Sequence, residues 1–192
     1  AKERIEANGH RATPVEVKRW IEREERRVQI HERLEKLRQT GAEVEFVNCD
    51  VSNPSELSAM IQSLRDAQQP VDLLIHGAGV EISRPTGSKT LDDWNLTLNA
   101  KVKAAETILS ALKPTRTILM GSVAGRFGNA MQTDYAAANA MLAALAEQYE
   151  NTLCVDWTAW AGAGMATRGS TSAVLEKAGV EFLPLELGLC LD

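Results

Sequence analysis

The chain has 192 residues, of which 44% are hydrophobic and 24% are charged, and its formal net charge is −5. This length and composition predict one globular domain with a hydrophobic core rather than a disordered segment. The acidic balance argues against a nucleic-acid surface, which needs a clustered basic footprint. No run approaches the roughly 18 apolar residues of a membrane span, and no signal-peptide pattern opens the sequence, so we expect a cytoplasmic location.

The first predicted element is a long helix that begins after Thr13. Thr13 can cap this helix, Pro14 suits its first turn because the missing N–H costs nothing there, and Glu16 completes a capping box. We expect the helix to end near Gln39, before Gly41. Its Lys and Arg residues are interleaved with Glu, which indicates a solvated, salt-bridged face. Its apolar contacts are assigned to Val17, Trp20, Ile21, Val28, Leu34 and Leu37.

A strand, a helix and a second strand are predicted next. The segment 44–49 alternates apolar and polar residues, which is typical of a strand. Ser52 and Pro54 are expected to open a helix that continues to about Ala67. The short apolar run at 71–75 is typical of a parallel strand covered on both faces.

The second half of the chain continues this alternation. The apolar pattern predicts a helix over 91–112, a strand over 115–120, a helix over 135–149 and a strand over 153–157. Strands that alternate with helices indicate βαβ units. We therefore predict an α/β fold, namely a Rossmann-like, doubly wound parallel sheet.

One part of such a fold has no counterpart in the sequence. A complete dinucleotide fold begins with a strand, a glycine-rich turn and a helix that holds the pyrophosphate. The only glycine before Gly41 is Gly9. In the sheet order 3-2-1-4-5-6, the first two strands lie between the strands predicted at 44–49 and 71–75. We therefore expect a sheet that lacks these two strands and the glycine-rich turn, as in a piece of a longer polypeptide.

The three cysteines are odd in number. Cys49 and Cys154 fall in predicted strands, where cysteine usually serves as a small buried hydrophobe, and Cys190 lies near the end of the chain. None of them has a neighbouring metal-ligand partner in the sequence. No metal site is therefore predicted.

The most informative segment is SVAGRFGNAMQTDYAAAN, residues 122–139. Ser122 follows an apolar stretch, and Tyr135 begins an alanine-rich segment that is predicted to be helical. Asn139 lies one turn beyond Tyr135 on the same helix face. The spacing therefore predicts that a hydroxyl, a phenol and an amide converge on one site.

The spacing of Ser122 and Tyr135, followed by YAAAN, resembles the ketoreductase branch of the short-chain dehydrogenase/reductases. Most of that superfamily has a lysine four residues after the tyrosine, where this chain has Asn139, and here a lysine stands upstream in LNAKVKAAETIL. This exchange is typical of ketoreductase domains in modular polyketide synthases and polyunsaturated fatty acid synthases, and it assigns the family's lysine to Lys101. Three more segments are similar to parts of this family. HGAGV at 76–80 resembles the end of its fourth strand, and CDV at 49–51 resembles its Asp-Val pair on the adenine side of the cofactor. VDWTAWAGAGMATRGS at 155–170 resembles its segment on the substrate side.

The resemblance implies a catalytic group of four residues and NADPH as the cofactor. Reduction places negative charge on a carbonyl oxygen, so Tyr135 is expected to supply the proton and Ser122 to hold that oxygen. Lys101 would favour the tyrosine anion, and Asn139 would orient Lys101 and a water that passes the proton onward. Hydride would come from the nicotinamide, since no side chain can deliver it.

The resemblance also assigns cofactor-binding residues. Gly77, Ala78 and Gly79 are small enough for the backbone to approach the adenosine ribose. Asp50 would accept a hydrogen bond from the adenine amino group, and Val51 would contribute its backbone N–H. The alternative for Asp50 is a cap for the helix that follows.

Each of these residues has a structural alternative when it is taken alone. A tyrosine at a helix start is often a packing residue, and Ser122 could satisfy a turn. Lys103 lies two residues from Lys101, and either lysine could be a solvated helix residue. His76 has no paired nucleophile in the sequence, so we interpret it as structural rather than as a catalytic base.

The implied organisation is the C-terminal portion of one ketoreductase domain. It comprises an N-terminal helical insertion at 1–43, a Rossmann-like core at 44–160 and a substrate-side lid segment at 161–192. The opening GHRATPVEVKRW is similar to an insertion of polyunsaturated fatty acid synthase-like and related iterative synthases. A lid helix is expected over 172–178.

The implied function is the NADPH-dependent reduction of a β-ketoacyl thioester to the β-hydroxyacyl thioester. The implied partners are an acyl carrier protein, whose phosphopantetheine arm holds the substrate, and the neighbouring synthase domains. Two alternatives stay open: a free-standing short-chain reductase of a soluble carbonyl compound, and a non-catalytic structural half-domain. The presence of all four predicted catalytic residues argues against the half-domain.

Overall fold

The computed structural model of the chain describes residues 13–162 and 179–184. The chain divides into two compact units, Ala1–Asn48 and Cys49–Asp192. The predicted lid helix at 172–178 and most of the predicted lid segment at 161–192 lie outside the described residues. Among the helices that the model describes, none is long and apolar enough to cross a bilayer.

The first unit contains the predicted long helix, α1, at Pro14–Gln39. Its capping box is formed as predicted, because Thr13 Oγ1 accepts from the Glu16 N–H at 3.3 Å and Glu16 Oε2 accepts from the Thr13 N–H at 2.8 Å. None of its residues is buried, however. The predicted apolar contacts are wrong for three residues that are exposed, because the described part of this unit has no second helix or strand to cover them: Ile21, Val28 and Leu37.

The strand predicted over 44–49 is also absent. These residues form no ladder, and the Phe46 and Val47 side chains are exposed. A strand is stabilised by pairing with a neighbour, and no described strand lies beside this segment. The alternation of apolar and polar residues is typical of a strand, but it gives no information about whether a pairing partner exists.

The second unit contains the other predicted elements, with ends that differ from the predictions by a few residues. The helix α2 is capped by Asn53 rather than Ser52, since Asn53 Oδ1 accepts from the Ser55 N–H at 3.0 Å. The elements in chain order are α2 Pro54–Asp66, β1 Leu73–His76, a 3₁₀ turn Thr86–Ser88, α3 Leu91–Leu98, a π-helical turn Asn99–Lys103, α4 Ala104–Leu112, β2 Arg116–Ser122, α5 Ala124–Phe127, α6 Thr133–Ala146 and β3 Thr152–Trp157.

The three strands form one parallel sheet in the order β1-β2-β3. This confirms the α/β fold with a parallel sheet. The other edge of β1 carries no strand among the described residues, and on one face of β1 the Leu73 and Ile75 side chains are 44% and 60% exposed. A central strand of a doubly wound sheet is normally covered, so this open edge fits a sheet that lacks its first two strands.

The hydrophobic core is arranged around α4. On one side, buried residues of α4, β2 and α6 form a cluster, and on the other side α4 packs against α2. Burial of each large apolar side chain contributes about 1.5–3 kcal/mol. The cluster that supports the α6 helix consists of Ala105, Leu109, Leu119, Leu142, Leu145 and Ala146.

The helix predicted as one element over 91–112 contains the π-helical turn Asn99–Lys103 between α3 and α4. Such a turn inserts one residue into the helical repeat and is common at functional sites. Here it buries three consecutive residues, Ala100, Lys101 and Val102. Lys101 lies four residues after the buried Thr97 and four before the buried Ala105, so this lysine occupies the buried face of the helix.

We expect Leu142→Ala to lower the free energy of unfolding by about 2–5 kcal/mol, because the side chain is fully buried between α6, α4 and β2. The matched control is Met141→Ala on the same helix, where the side chain is 47% exposed and the expected change is within about 0.5 kcal/mol. Urea denaturation of the chain measures both. Equal effects of the two substitutions would contradict the assignment of this core.

Candidate active site

The predicted site residues lie at the carboxyl edge of the parallel sheet. Ser122 is the last residue of β2 and is in register with Trp157 at the end of β3. The sequence Gly77-Ala78-Gly79 follows His76, the last residue of β1. In open α/β sheets, ligands bind outside the carboxyl ends of the strands. The fold therefore places the predicted residues at the edge where such a sheet forms its sites.

Tyr135 and Ser122 form the centre of this site. Tyr135 lies in the first turn of α6 and is 9% exposed, and Ser122 is half-buried. Burial raises the pKa of the Tyr135 phenol, and hydrogen bonding by the nearby Ser122 and Asn139 side chains partly opposes this rise, while the negative charge of Glu81 adds to it. The phenol is therefore protonated at neutral pH and available as a proton donor.

Lys101, rather than Lys103, accompanies Tyr135. The Lys101 side chain is buried, and its Nζ lies 5.7 Å from the centroid of the Tyr135 ring. Nζ donates a hydrogen bond to the Met120 carbonyl at 2.8 Å, and burial lowers the pKa of Lys101 to about 8. Lys103 instead faces solvent and pairs with Glu106. The structure thus brings together the predicted lysine and the predicted tyrosine.

Asn139 is fully buried one turn after Tyr135. Its Nδ2 donates to the Tyr135 backbone carbonyl at 2.7 Å, and its Oδ1 is buried without a hydrogen-bond partner among the described residues. No direct hydrogen bond joins Asn139 to Lys101 in the described part of the chain, and the orientation of Lys101 by Asn139 stays a prediction. The amide donor is occupied within the helix, and one acceptor oxygen stays open.

His76 holds the other end of Lys101. Its side chain is buried, and Nε2 lies 2.9 Å from the Lys101 carbonyl oxygen, inside the π-helical turn. Burial lowers the pKa of His76, so the neutral imidazole donates its Nε2–H to this carbonyl. This contact supports the structural interpretation of His76. Lys101 is consequently held through its carbonyl by β1 and through its ammonium by β2.

Two glycines permit close approaches at the site. A Cβ at Gly79 would lie 3.4 Å from Lys101 Nζ, at the near limit of ordinary van der Waals contact, so the backbone of Gly79 lies close beside the ammonium. A Cβ at Gly125 would lie 2.9 Å from both Ala140 N and Asn139 Cβ, which is too close for any side chain. The sequence prediction missed Gly125, although this glycine stands only three residues after Ser122 in SVAG. Gly125 allows the turn after β2 to pack against α6 at Asn139.

Asp50 and Val51 lie in the turn before α2. Asp50 Oδ1 accepts from the Ser52 N–H at 2.9 Å and from the Ser52 hydroxyl at 2.7 Å, and these hydrogen bonds lower the pKa of Asp50. Val51 packs against the core cluster between α2 and α4. These contacts support the structural alternative for Asp50, a role in the turn that leads into α2. Its contact with adenine stays a prediction.

Sequence reasoning also missed a buried ion pair beside Tyr135. Lys89 Nζ lies 2.6 Å from Asp134 Oδ1, and neither side chain has any exposed surface. The only available signal was an aspartate directly before Tyr135, and acidic residues are common in the first turn of any helix. Nothing in the local sequence pointed to Lys89 as its partner.

The residues present fit the nicotinamide end of a dinucleotide. Asn139 Oδ1 is a buried acceptor without a partner, and the Lys101 ammonium adjoins the side-chain-free Gly79. Gly77 likewise offers bare backbone at the end of β1. These groups could line a planar, polar ring placed at this edge. The described residues contain no glycine-rich turn of the kind that binds a pyrophosphate.

The comparisons with known proteins agree with this geometry. The chain matches the family model described as the KR domain over residues 18–162. It is 33% identical over 160 residues to the pikromycin polyketide synthase component PikAIII of Streptomyces venezuelae, covering 80% of this chain and 10% of that protein. It is 30% identical over 176 residues to mellein synthase of Phaeosphaeria nodorum, covering 88% of this chain and 9% of that protein. The chain thus spans a tenth or less of these relatives.

Solved structures with similar folds include two ketoreductases. PlmKR1, the ketoreductase from the first module of phoslactomycin biosynthesis in Streptomyces sp. HK803, has a TM-score of 0.75 and 33% identity, with 83% of this chain and 38% of that chain covered. A ketoreductase domain from the bacillaene assembly line has a TM-score of 0.72 and 29% identity, with 83% and 42% covered. From the family match and the convergence of Ser122, Tyr135 and Lys101, we conclude that the chain belongs to the ketoreductase domain family of the polyketide synthases, within the short-chain dehydrogenase/reductase superfamily.

Proposed function

We propose that the domain containing this chain reduces the β-keto group of an acyl thioester to a hydroxyl group, with NADPH as the reductant. The observation that supports this most directly is the burial of the Lys101 ammonium beside the Tyr135 phenol at the sheet edge where Ser122 ends β2. Ketoreduction needs a proton donor, a hydrogen-bond donor for the carbonyl oxygen and a cation nearby. These three side chains supply one group each.

Ser122 is suited to hold the substrate carbonyl. Its Oγ already accepts a hydrogen bond from the Ala124 N–H at 3.2 Å. Its single O–H, which interacts with the Tyr135 phenol in this structure, would be redirected to a substrate oxygen placed between the two side chains. Removal of a single donor of this kind typically costs on the order of 100-fold or more in rate.

Tyr135 supplies the proton that the reduced oxygen needs. A bound nicotinamide would supply hydride to the carbonyl carbon, and the Tyr135 phenol would give its proton to the carbonyl oxygen, so that the substrate would become an alcohol. The tyrosine is left as an anion, which burial alone disfavours. The Lys101 ammonium, 5.7 Å from the ring centroid, offsets that cost.

Lys101 and Asn139 then restore the phenol. A lysine with a pKa of about 8 can both hold and release a proton near neutral pH, which suits a proton relay. Asn139 Oδ1 is an open buried acceptor, so it can orient a water in the same path. Of the two roles predicted for Asn139, this open acceptor supports the orientation of a water.

The substrate carrier, the preference for NADPH and the adenosine contacts are further parts of this proposal. Gly77, Ala78 and Gly79 would let the backbone approach the cofactor's ribose, and Asp50 with Val51 would face the adenine. The relatives named above are polyketide synthases much longer than this chain. An acyl carrier protein that delivers the thioester, and adjoining synthase domains, are therefore the partners we propose. A free-standing reductase of soluble carbonyl compounds and a non-catalytic half-domain are the alternatives that the tests below address.

The activity assays use the 192-residue chain and an extended chain. The extended chain carries an additional strand, glycine-rich turn and helix at its N-terminus, because the exposed edge of β1 offers a place for such a strand. A carrier-bound and a soluble β-ketoacyl thioester are compared as substrates. Faster reduction of the carrier-bound form supports the synthase role, and equal rates favour the free-standing reductase.

We expect Tyr135→Phe in the extended chain to lower the rate of NADPH oxidation with a β-ketoacyl thioester by about 10²–10⁴-fold, because the proton donor is removed. NADPH binding should stay near the unsubstituted level, since the ring is retained. Tyr149→Phe is the matched control, because it is the only other tyrosine in the chain and lies outside the site. Unchanged turnover in Tyr135→Phe would show that another group supplies the proton.

We expect the reduction rate of the extended chain to fall as the pH rises through about 8, where the buried Lys101 ammonium loses its proton. Lys101→Met should be slow at every pH and should lack this step. Lys103→Met is the control, because its ammonium is exposed and pairs with Glu106. A step near pH 8 that persists in Lys101→Met would assign it to another group.

The same pKa gives a stability test. The native pKa of Lys101 lies below its usual 10.5, so the unfolded chain binds more protons between pH 8 and 10.5 and the contribution to the unfolding free energy rises with pH across that window. Relative to Lys101→Met, the unsubstituted chain should therefore gain on the order of 3 kcal/mol across it. Urea titrations at the two ends measure this difference, and a constant difference would contradict the buried ammonium.

We expect Gly125→Ala to lower the reduction rate and to destabilise the chain by about 1–3 kcal/mol, because its Cβ would press on Asn139 and Ala140. Gly87→Ala is the control, since a Cβ there would meet no atom within 4 Å. Kinetic assays of the extended chain and urea denaturation measure the two effects. Equal behaviour of the two variants would show that α5 and α6 do not pack as closely as described.

A further inference from the structure

The mechanism described above does not use the buried ion pair of Lys89 and Asp134. Lys89 lies just after the 3₁₀ turn, and Asp134 lies in the first turn of α6, next to Tyr135. Their Nζ and Oδ1 atoms are 2.6 Å apart, and both side chains are fully removed from solvent. Burying two charges is costly even when they pair. The position of this pair therefore calls for a physical reason.

Asp134 holds the backbone of Tyr135. Its Oδ1 accepts from the Tyr135 N–H at 2.8 Å, and its Oδ2 lies 3.2 Å from the Thr97 hydroxyl on α3. The residue before α6, Gln132, provides no side-chain cap. The first-turn N–H groups of a helix need acceptors from outside the helix. Asp134 supplies one for Tyr135 itself and connects it to α3.

Lys89 joins this helix start to a second element. Its Nζ also donates to the Ile82 carbonyl at 2.5 Å, in the loop that follows β1. The same loop begins with Gly77-Ala78-Gly79, which adjoins Lys101. The ion pair thus connects the loop on the cofactor side of the site with the helix that carries the proposed proton donor.

We propose that Lys89 and Asp134 are positioning residues that set the place of the Tyr135 phenol relative to Ser122 and Lys101. An apolar pair could fill the same space, but it could not accept the Tyr135 N–H or bind the Ile82 carbonyl. A misplacement of about 1 Å at a reacting group can cost on the order of 100-fold in rate. The inference rests on the proposed function only in treating Tyr135 as the proton donor.

The pKa of the Tyr135 phenol gives a measure of the position of this side chain. The chain has two tyrosines, Tyr135 and Tyr149, so in a Tyr149→Phe background a single phenol titrates. Burial raises the pKa of the Tyr135 phenol, so a displacement toward solvent lowers it. Glu81, whose negative charge acts on this phenol, is kept in every variant, and so is Lys101, which has lost its proton at the alkaline pH of this titration. Ultraviolet absorbance of the tyrosinate follows the titration without any need for catalysis.

The main variant is the double substitution Lys89→Met with Asp134→Leu, in the 192-residue chain with Tyr149→Phe. It removes both charges and the acceptor for the Tyr135 N–H while keeping side chains of similar size, so no unpaired charge is left buried. We expect this variant to fold and its Tyr135 phenol to titrate at a lower pH than in the parent. The matched control is Lys103→Met with Glu106→Gln, which removes an exposed lysine–glutamate pair and should leave the titration unchanged.

A second, milder variant covers the case in which the main variant does not fold. Thr97→Val removes only the hydroxyl beside Asp134 Oδ2 and should also lower the pH at which the Tyr135 phenol titrates. If the main variant folds and its Tyr135 titrates as in the parent, the proposal is overturned and the ion pair is purely structural. If the main variant does not fold, the same result in Thr97→Val overturns the proposal.

Activity of the extended chain separates this proposal from the proposed function. The main variant should lose on the order of 100-fold in kcat with little change in the KM for NADPH. Suppose that the Tyr135 phenol titrates at a lower pH in the main variant than in the parent, but that the extended parent never reduces a β-ketoacyl thioester. This result would support the positioning role and contradict the reductase. If the parent is active and the main variant has the same kcat and the same Tyr135 titration as the parent, only the positioning role is overturned.

Discussion

The site depends on the burial of one ammonium group beside one phenol. Lys101 is held inside the protein by two backbone contacts, from His76 to its carbonyl and from its Nζ to the Met120 carbonyl. Neither contact brings a negative charge, so desolvation lowers the lysine pKa to about 8. A cation held in this way is poorly stabilised until an anion forms nearby. The tyrosinate left by proton transfer would be that anion.

The site contains irregular structure in two places. The π-helical turn Asn99–Lys103 includes the buried Lys101, and Gly125 lets the turn after β2 press against α6. The parallel strands then bring Ser122 and the end of β1 to the same edge. The described residues place no strand at the other edge of β1, and the chain covers 38% of a similar solved ketoreductase.

Local signals in the sequence predicted most of the elements and the placement of Tyr135 and Asn139 on one helix, whereas the catalytic roles of these residues stay predictions. The capping box at Thr13 and the spacing within 122–139 both depend on neighbours a few residues apart, and both agree with the structure. The strand at 44–49 was wrong because alternation says nothing about a pairing partner. The π-helical turn and the pair of Lys89 with Asp134 could not be predicted, since each is decided by packing between elements distant in sequence.

The central claim is that this site directs hydride to the β-carbon of an acyl thioester. The most direct test supplies the extended chain with NADPH deuterated at C4 of the nicotinamide and a β-ketoacyl thioester on an acyl carrier protein, followed by mass spectrometry of the product. We predict a β-hydroxyacyl thioester with one deuterium on the β-carbon. A folded protein that binds NADPH but forms no deuterated alcohol would contradict the assignment of Tyr135, Ser122 and Lys101 to ketoreduction.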